Sequence, residues 1–535
     1  MQKILRKNAG GITWYVPEDE ENTLGDKLAD LSNLIREEAA TVHKKGRRKV
    51  FASVGTTAGG EEIYLKTFRL TGLSLKLKHL FFRSKALREL MIGLTARERG
   101  VPAVVPLAAG EKRRMGLIDE CYVLLKKIDS AINLRDYLYR EDVPQRQRSR
   151  VIEALGRLAR KSHESGIFQT DFSLNNFLLK DPCEPTPTIY LIDFERTYVH
   201  KYLSEDMRNW ALAKLNRVGT NFSVTDRLRF LKAYSAGKNT ERSSLLHWMK
   251  ELDKQTHWIL RKDALRIHSA CVRSGRGYKR YTDGRHSAYF LEGYDANELI
   301  HLTKEPAEEV TAKTLGPFKP CEARRRIHGK DAEIEVDVYK FLLHNSTPSG
   351  ARPAVEAWQT ANALIKANIR VSPAVGAVEV SEGNSYLGYL IIKHACGLKD
   401  LREAIAEARL RPDRKRVFLW HTARFLSRLH NHGTFSAPIS IGDIGVQESS
   451  SGKIRLCLMR PFKFAVVLTS TIDGTRLDDR DSDLNRLEAF LGDLMGERDV
   501  ELLRRLYKLH SSNIPSCGET PCSYTPGRWS MSRFL

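Results

Sequence analysis

With 535 residues, the chain is long for one hydrophobic core, and length alone suggests roughly three to four domain-sized units. An apolar content of 41% and a charged content of 28% describe a water-soluble globular protein; no window approaches about 18 uninterrupted apolar residues, which excludes a membrane-spanning helix. The net charge of +22 asks for an anionic partner (nucleic acid, an acidic membrane face, or a phosphorylated or carboxylated substrate) without choosing among them. The N-terminus lacks an apolar core of signal-peptide length, so a cytoplasmic location is expected. Of the eight cysteines only Cys517 and Cys522 are close, and no second pair completes a zinc site, so reduced thiols are the expectation.

Residues 1–48 read as an N-terminal extension: a turn-rich start, a helix from Leu24 to Ala40, and the basic run His43–Arg48. A strand, a small flexible turn and a second strand follow, Lys49–Val54, Gly55–Gly60 and Glu62–Phe68. Lys66 lies inside the second strand, and Gly55, Gly59 and Gly60 are candidates to cover phosphates with backbone amides. The stretch Leu73–Lys85 is basic and amphipathic, suited either to packing on the domain or to an acidic membrane surface. A helix from Ala86 to Arg99 carries Glu89 and ends at Gly100-Val101-Pro102. Strands at 104–108 and 121–126 flank a polar loop at 110–116, and helices at 134–139 and 150–165 lead to Gly166.

The most informative stretch is GIFQTDFSLNNFLLKDPCEPTPTIYLIDFERT, residues 166–197. It places Asp171, then Asn176 before the apolar run Phe177–Leu179, then Asp193 after the strand Ile189–Ile192. A carboxylate, an amide five residues on, and a second carboxylate after the next strand is the order of a kinase catalytic loop. There the first Asp takes or orients the attacking hydroxyl, and the Asn and second Asp hold magnesium on the nucleotide phosphates.

Four pieces, YLKTF, RELMIGLTARERGVPAVVPLA, LARKSHESGIFQTDFSLNNFLL and IYLIDFERTYV, resemble the bacterial lipopolysaccharide kinases that phosphorylate Kdo or heptose in the inner core. The resemblance covers about residues 49–235 and implies a two-lobed, protein-kinase-like α+β fold using ATP and Mg²⁺. It implies Lys66 on the phosphates with Glu89 as its partner, Asp171 as base or substrate orienter, and Asn176 and Asp193 as metal ligands. Asp206 resembles the residue leading a helix that braces the loop. Two departures stand out. Gln169-Thr170 precede the Asp in place of His-Arg, and Phe194-Glu195 follow Asp193 in place of Phe-Gly.

Residues 251–290 read as a basic junction, with eight Lys/Arg against two Asp between Arg261 and Arg285. From 291 to 535 the first pattern returns in worn form, which predicts tandem duplication into a kinase domain (49–250) and a degenerate one (291–535). The helix Val417–His432 repeats 150–165, and His430-Asn431-His432-Gly433 repeats His163-Glu164-Ser165-Gly166. Counting onward, Pro438 falls opposite Asp171 and Asp443 opposite Asn176, while Met459-Arg460-Pro461 follows the strand Ile454–Leu458 with no Asp for metal. Lys340 is read as the remaining phosphate lysine, with Lys313 as an alternative register.

These readings predict a phosphotransferase acting on a sugar hydroxyl of a lipopolysaccharide core or related glycolipid. It would sit peripherally at the inner face of the inner membrane, with the second module regulating the first or presenting substrate. A protein Ser/Thr/Tyr kinase and a non-catalytic scaffold are the alternatives. No nucleic-acid motif accompanies the charge.

Overall fold

The computed structural model describes residues 2–24, 27–36, 41–45, 49–57, 59–70, 76–77, 79, 82–104, 106–140, 142–217, 222–236, 241–309, 323–329, 332–342, 352–382, 385–395, 397–408, 412–431, 444–448, 454–459, 484–489 without 486, 494 and 496–511. The chain divides into two compact units at Leu252/Asp253.

The first unit opens on an antiparallel sheet in the order β1-β2-β6-β7-β5-β4-β3. Its strands are β1 (Ile4–Ala9), β2 (Ile12–Pro17), β3 (Thr41–Lys45), β4 (Lys49–Thr56), β5 (Glu62–Arg69), β6 (Pro106–Arg114) and β7 (Leu117–Lys126). Residues 1–48, expected to be an extension, therefore supply three of its strands. The physical reason is alternation: Ile12, Trp14 and Val16 all face the core, and a one-face apolar period of two makes a strand. The expected helix at 24–40 is α1 (Lys27–Arg36). The expected loop at 110–116 is instead the end of β6, and the hairpin turns at Met115-Gly116. The segment read as basic and amphipathic, 73–85, lies mostly outside the described residues.

Helix α2 (Lys85–Glu98) starts because Ser84 caps it, its hydroxyl accepting from Leu87 N–H at 3.1 Å. Its buried face (Ala86, Leu90, Leu94) packs with Phe68, Cys121 and Val123 of the sheet. The rest of the unit is mainly helical: α3 (Leu134–Tyr139), α4 (Gln145–Glu164), α5 (Glu205–Leu215), α6 (Val224–Tyr234) and the start of α7 (Arg242–Ala270). Short strands β8 (Ile132–Asn133), β9 (Ile167–Gln169), β10 (Phe177–Lys180), β11 (Thr188–Leu191) and β12 (Thr197–Val199) carry the loops between them. A β-sheet with one packed helix followed by a helical region with these hairpins is the α+β, protein-kinase-like plan.

The second unit repeats that order. Its sheet runs β13-β14-β18-β19-β17, with β16 beside β17 and β15 added parallel to it. The strands are β13 (Tyr278–Thr282), β14 (His286–Leu291), β15 (Glu308–Glu309), β16 (Arg324–His328), β17 (Glu333–Leu342), β18 (Ala374–Glu382) and β19 (Ser385–Lys393). The stretch read as a junction, 251–290, resolves into most of α7 and the first two of these strands. Between its N-terminal hairpin and β16 lies α8 (Ala296–His301), and α9 (Pro353–Lys366) takes the place of α2. Then come β20 (Lys399–Asp400), α10 (Leu401–Ala408), α11 (Pro412–Asn431), β21 (Ile444–Glu448), β22 (Ile454–Leu458) and α12 (Glu497–His510).

The correspondence reaches irregular details. The β6–β7 ladder slips between Pro106 and Ala108, and the β18–β19 ladder slips between Ala374 and Gly376. Helix α2 is followed by a left-handed Gly100 and α9 by a left-handed Asn368, φ +67° and +60°. In the first sheet Trp14 stands opposite Gly110, where a Cβ would come within 2.8 Å of the indole; in the second the large and small sides are exchanged, Ala288 opposite Val378.

Candidate functional site

Three elements of the first unit converge on one lysine. Lys66 sits in β5, between β4 and β7, with its ammonium turned toward α2. Nζ lies 2.8 and 2.9 Å from the two carboxylate oxygens of Glu89, in the second turn of α2, and 2.8 Å from Oδ1 of Asp193. Lys66 and Glu89 are buried, whereas the Asp193 side chain is 36% exposed and opens to solvent. Burial alone would lower the lysine's pKa, but the charges of Glu89 and Asp193 and their hydrogen bonds outweigh it, and the ammonium is held above its ordinary value. Burial raises the Glu89 carboxyl, with the Lys66 charge pulling the other way.

Asp193 reaches this position through an unusual backbone. Its φ is +62°, left-handed, a conformation Asp tolerates better than most residues. Gln169 holds it there: its side-chain amide donates to the carbonyls of Ile192 (3.0 Å) and Asp193 (2.8 Å). The departure from His-Arg thus places a double donor under the second carboxylate. Pairing of β9 with β12 and a bond from Thr170 N–H to Arg196 O (2.9 Å) tie the two loops together.

Asp171 has its carboxylate half exposed, 3.5 Å from Nη2 of Arg217. The Asn176 side-chain amide donates to the Asp171 carbonyl at 2.6 Å, so the loop closes on itself, and Ile192 N–H bonds the Asn176 carbonyl at 3.0 Å. These bonds tie the Asp171–Asn176 loop to the strand end that leads into Asp193, whose carboxylate in turn reaches Lys66. Among the described residues there is no cluster of three or more His, Cys, Asp or Glu poised for a metal. That donor set fits Mg²⁺ as kinases hold it, since the ion keeps waters and phosphate oxygens and takes only one or two protein oxygens.

Gly60 lies in a turn that engages its amide. The loop is a tight hairpin in which Gly60 N–H donates to Thr57 O (3.0 Å) and Thr57 N–H to Glu61 O (2.7 Å). Gly60's amide is therefore engaged within the turn, and Gly55 lies in β4 at a register slip. Lys27 of α1 holds the same hairpin from outside through the carbonyls of Thr56 and Thr57. Asp206, expected to brace the loop, is exposed in the first turn of α5. Sequence reading missed Arg217, Lys85 and Arg88, whose roles depend on contacts across 46 to 110 residues; only the cationic side of α2 hinted at the last two.

Residues 32–234 match the lipopolysaccharide kinase (Kdo/WaaP) family. This segment is similar to that family. A 3-deoxy-D-manno-octulosonic acid kinase of Photobacterium profundum is 29% identical over 140 residues, 26% of this chain and 53% of the relative. A protein of the same description from Haemophilus influenzae is 31% identical over 126 residues, 23% of this chain and 48% of the relative. The chain thus spans about half the length of the curated relatives it matches. Among solved structures, WaaP in complex with acyl carrier protein is 19% identical, with a TM-score of 0.33 over 45% of this chain and 98% of that one. The fold class stands on the topology above.

The family match ends at 234, yet the second unit's ladders show what stands at the corresponding positions. Aligning CYVLLK of β7 with GYLIIK of β19 pairs Lys66, opposite Val123, with Tyr339, opposite Leu390. The shared bonds after each helix, Val101 N–H to Ala96 O and Ile369 N–H to Leu364 O, pair Glu89 with Ala357. Leu191 and Leu458, which receive the equivalent bonds from Val104 and Ser372, pair Asp193 with Arg460. Lys340 is therefore not a remaining phosphate lysine. It is one residue out of register, so it faces the other side of the sheet, 3.5 Å from Glu309. Tyr339 and Ala357 are instead buried in an apolar cluster around Trp358. Lys313, Pro438, Asp443 and Arg460 lie outside the described residues.

A second pair recurs. His163 Nδ1 of α4 lies 2.9 Å from the Tyr234 hydroxyl of α6, and His430 Nδ1 of α11 lies 2.6 Å from the Tyr507 hydroxyl of α12. The rings meet edge-on in both, 5.7 and 5.6 Å between centroids. These histidines are core struts joining two helices.

Proposed function

We propose that the first unit is an ATP- and Mg²⁺-dependent phosphotransferase that phosphorylates a sugar hydroxyl of a lipopolysaccharide core or related glycolipid. The reading is carried by the buried Lys66–Glu89 pair reaching Asp193 in a segment similar to the lipopolysaccharide kinase family. Lys66 binds and orients the nucleotide phosphates, and Glu89 fixes the ammonium in place. Asn176 and Asp193 hold Mg²⁺, which when bound neutralises charge on the phosphates. Asp171 orients the acceptor hydroxyl and takes its proton at a carboxylate oxygen, with Arg217 fixing that carboxylate. Among the described residues no helix is long and apolar enough to cross a membrane. The +22 charge supports peripheral contact with an acidic surface at the inner face of the inner membrane, where each nearby basic residue contributes about 1 kcal/mol.

The second unit we read as a tandem duplicate that has lost phosphotransfer and serves to regulate the first or present its substrate. The shared strand order, ladder slips and His–Tyr struts support common origin; Tyr339 and Ala357 support the loss of catalysis.

The test is transfer of labelled phosphate from ATP to dephosphorylated core glycolipid by the whole protein, beside a generic protein substrate. Label on the glycolipid that disappears in Asp171→Ala supports the reading. Label on protein alone moves the function to a protein kinase, and no label on either removes the catalytic reading.

A further inference from the structure

Glu195 stands where the resemblance leads to glycine, and its surroundings give the carboxylate a partner. It lies in the single helical turn Phe194–Arg196 immediately after Asp193. Oε1 is 2.9 Å from Nζ of Lys85, the first residue of α2, and the side chain is only 13% exposed. One turn further along α2, the Arg88 guanidinium donates to the Glu195 carbonyl and stacks over the Tyr198 ring. Glu195 N–H itself points to Oδ1 of Asp193 at 3.4 Å. Helix α2 therefore grips residues 193–195 at three places: Glu89 through Lys66 to Asp193, Lys85 to the carboxylate, and Arg88 to the backbone. A glycine would keep the backbone bonds and lose the ion pair.

We propose that Glu195 is a positioning residue that latches α2 to the segment carrying Asp193, keeping Lys66, Glu89 and Asp193 assembled for Mg²⁺–ATP. This rests on the kinase reading above. A carboxylate two residues after Asp193 could instead be a further cation ligand; the two roles differ in what they ask of Lys85, whose ammonium lies 2.9 Å from Oε1. The latch also accounts for the pairing of Lys85, which a metal role leaves without purpose.

The experiment uses the full chain and four variants: Glu195→Gln, Lys85→Met, the two combined, and the charge exchange Lys85→Glu/Glu195→Lys. ATP affinity is measured by calorimetry with and without Mg²⁺, beside the melting temperature. The latch predicts that each single change weakens Mg²⁺–ATP binding about tenfold, the loss typical of groups that orient metal ligands. It also predicts that the combined variant is no worse than either single, that the exchange recovers most of the loss, and that melting temperatures stay put. Loss in Glu195→Gln without loss in Lys85→Met overturns the latch in favour of a metal ligand. Additive losses, losses below twofold, or losses that track a falling melting temperature overturn it too. If the unaltered protein binds no Mg²⁺–ATP, the kinase reading itself fails and the latch with it.

Discussion

In the first sheet a lysine faces Val123 across the ladder and meets a glutamate from the packed helix; in the second a tyrosine faces Leu390 and shares a buried cluster with an alanine of the packed helix. The strand order, the slip in the sixth strand and the left-handed helix end are common to both. Replacing a buried ion pair by packed apolar residues is often neutral, or stabilising by about 1–4 kcal/mol. The second unit therefore has the arrangement that folding alone favours. The first has one that folding does not require, and the proposed nucleotide-binding role of Lys66, Glu89 and Asp193 would account for it.

The comparison breaks most visibly in catalysis. Asp171→Ala is expected to lower glycolipid phosphorylation about 10²–10⁴-fold, while no change confined to residues 291–535 removes the chemical step; single-turnover rates with labelled ATP check both. If truncating the second unit's apolar cluster abolished the chemical step while folding persisted, the division of labour would be wrong.

Next in size is a stability test of the lost pair. Tyr339→Lys places an ammonium in the cluster around Trp358, where Glu308 of the paired strand β15 is the neighbouring carboxylate and Ala357 offers none, and should cost about 1–3 kcal/mol in denaturant unfolding. Adding Ala357→Glu should recover part of that loss, because the two positions are those of Lys66 and Glu89. Strict additivity of the two changes would show that the aligned positions do not touch.

A third test exchanges large and small. Gly110→Val drives a side chain into the Trp14 ring and should cost about 1–3 kcal/mol. Combined with Trp14→Ala it copies the Ala288–Val378 pair of the second sheet, and the double change should cost clearly less than the sum of the singles.

A fourth test concerns the His–Tyr strut and shows only in acid. Burial, aided by the Arg208 charge, pushes His163 down to about 3 from an ordinary 6.5. The unfolded chain then binds a proton that the folded one refuses between those values. The stability this represents is complete above about pH 6.5 and is lost as pH falls toward 3. His163→Gln should flatten that part of the melting-temperature profile of the first unit; an unchanged slope would show that other groups carry the acid sensitivity.

Much of this was legible from residues alone where pattern and chemistry coincide. The helix at 134–139 and the strand at 454–458 fall where their apolar periods put them, and the resemblance pairs Lys66 with Glu89, as the structure does, while Asp193, expected only as a metal ligand, also reaches the lysine. The N-terminal hairpin escaped because Ala9-Gly10-Gly11 reads as loop unless the alternation of Ile12, Trp14 and Val16 is counted. Lys340 misled for a different reason: a one-residue slip leaves composition unchanged yet reverses the face, and only the ladder fixes it. Arg217 beside Asp171 and Lys85 beside Glu195 depend on chain returning from far away, which no local window records.

Only nine residues, 196–204, separate Glu195 from the start of α5, and that span is already spoken for. Thr197–Val199 pair with Ile167–Gln169, His200 N–H bonds the Gly166 carbonyl at 2.8 Å, and Arg99 reaches the carbonyls of Ser165 and His200. A segment so short and so tied at both edges carries the position of Asp193 and Glu195 directly to the start of α5.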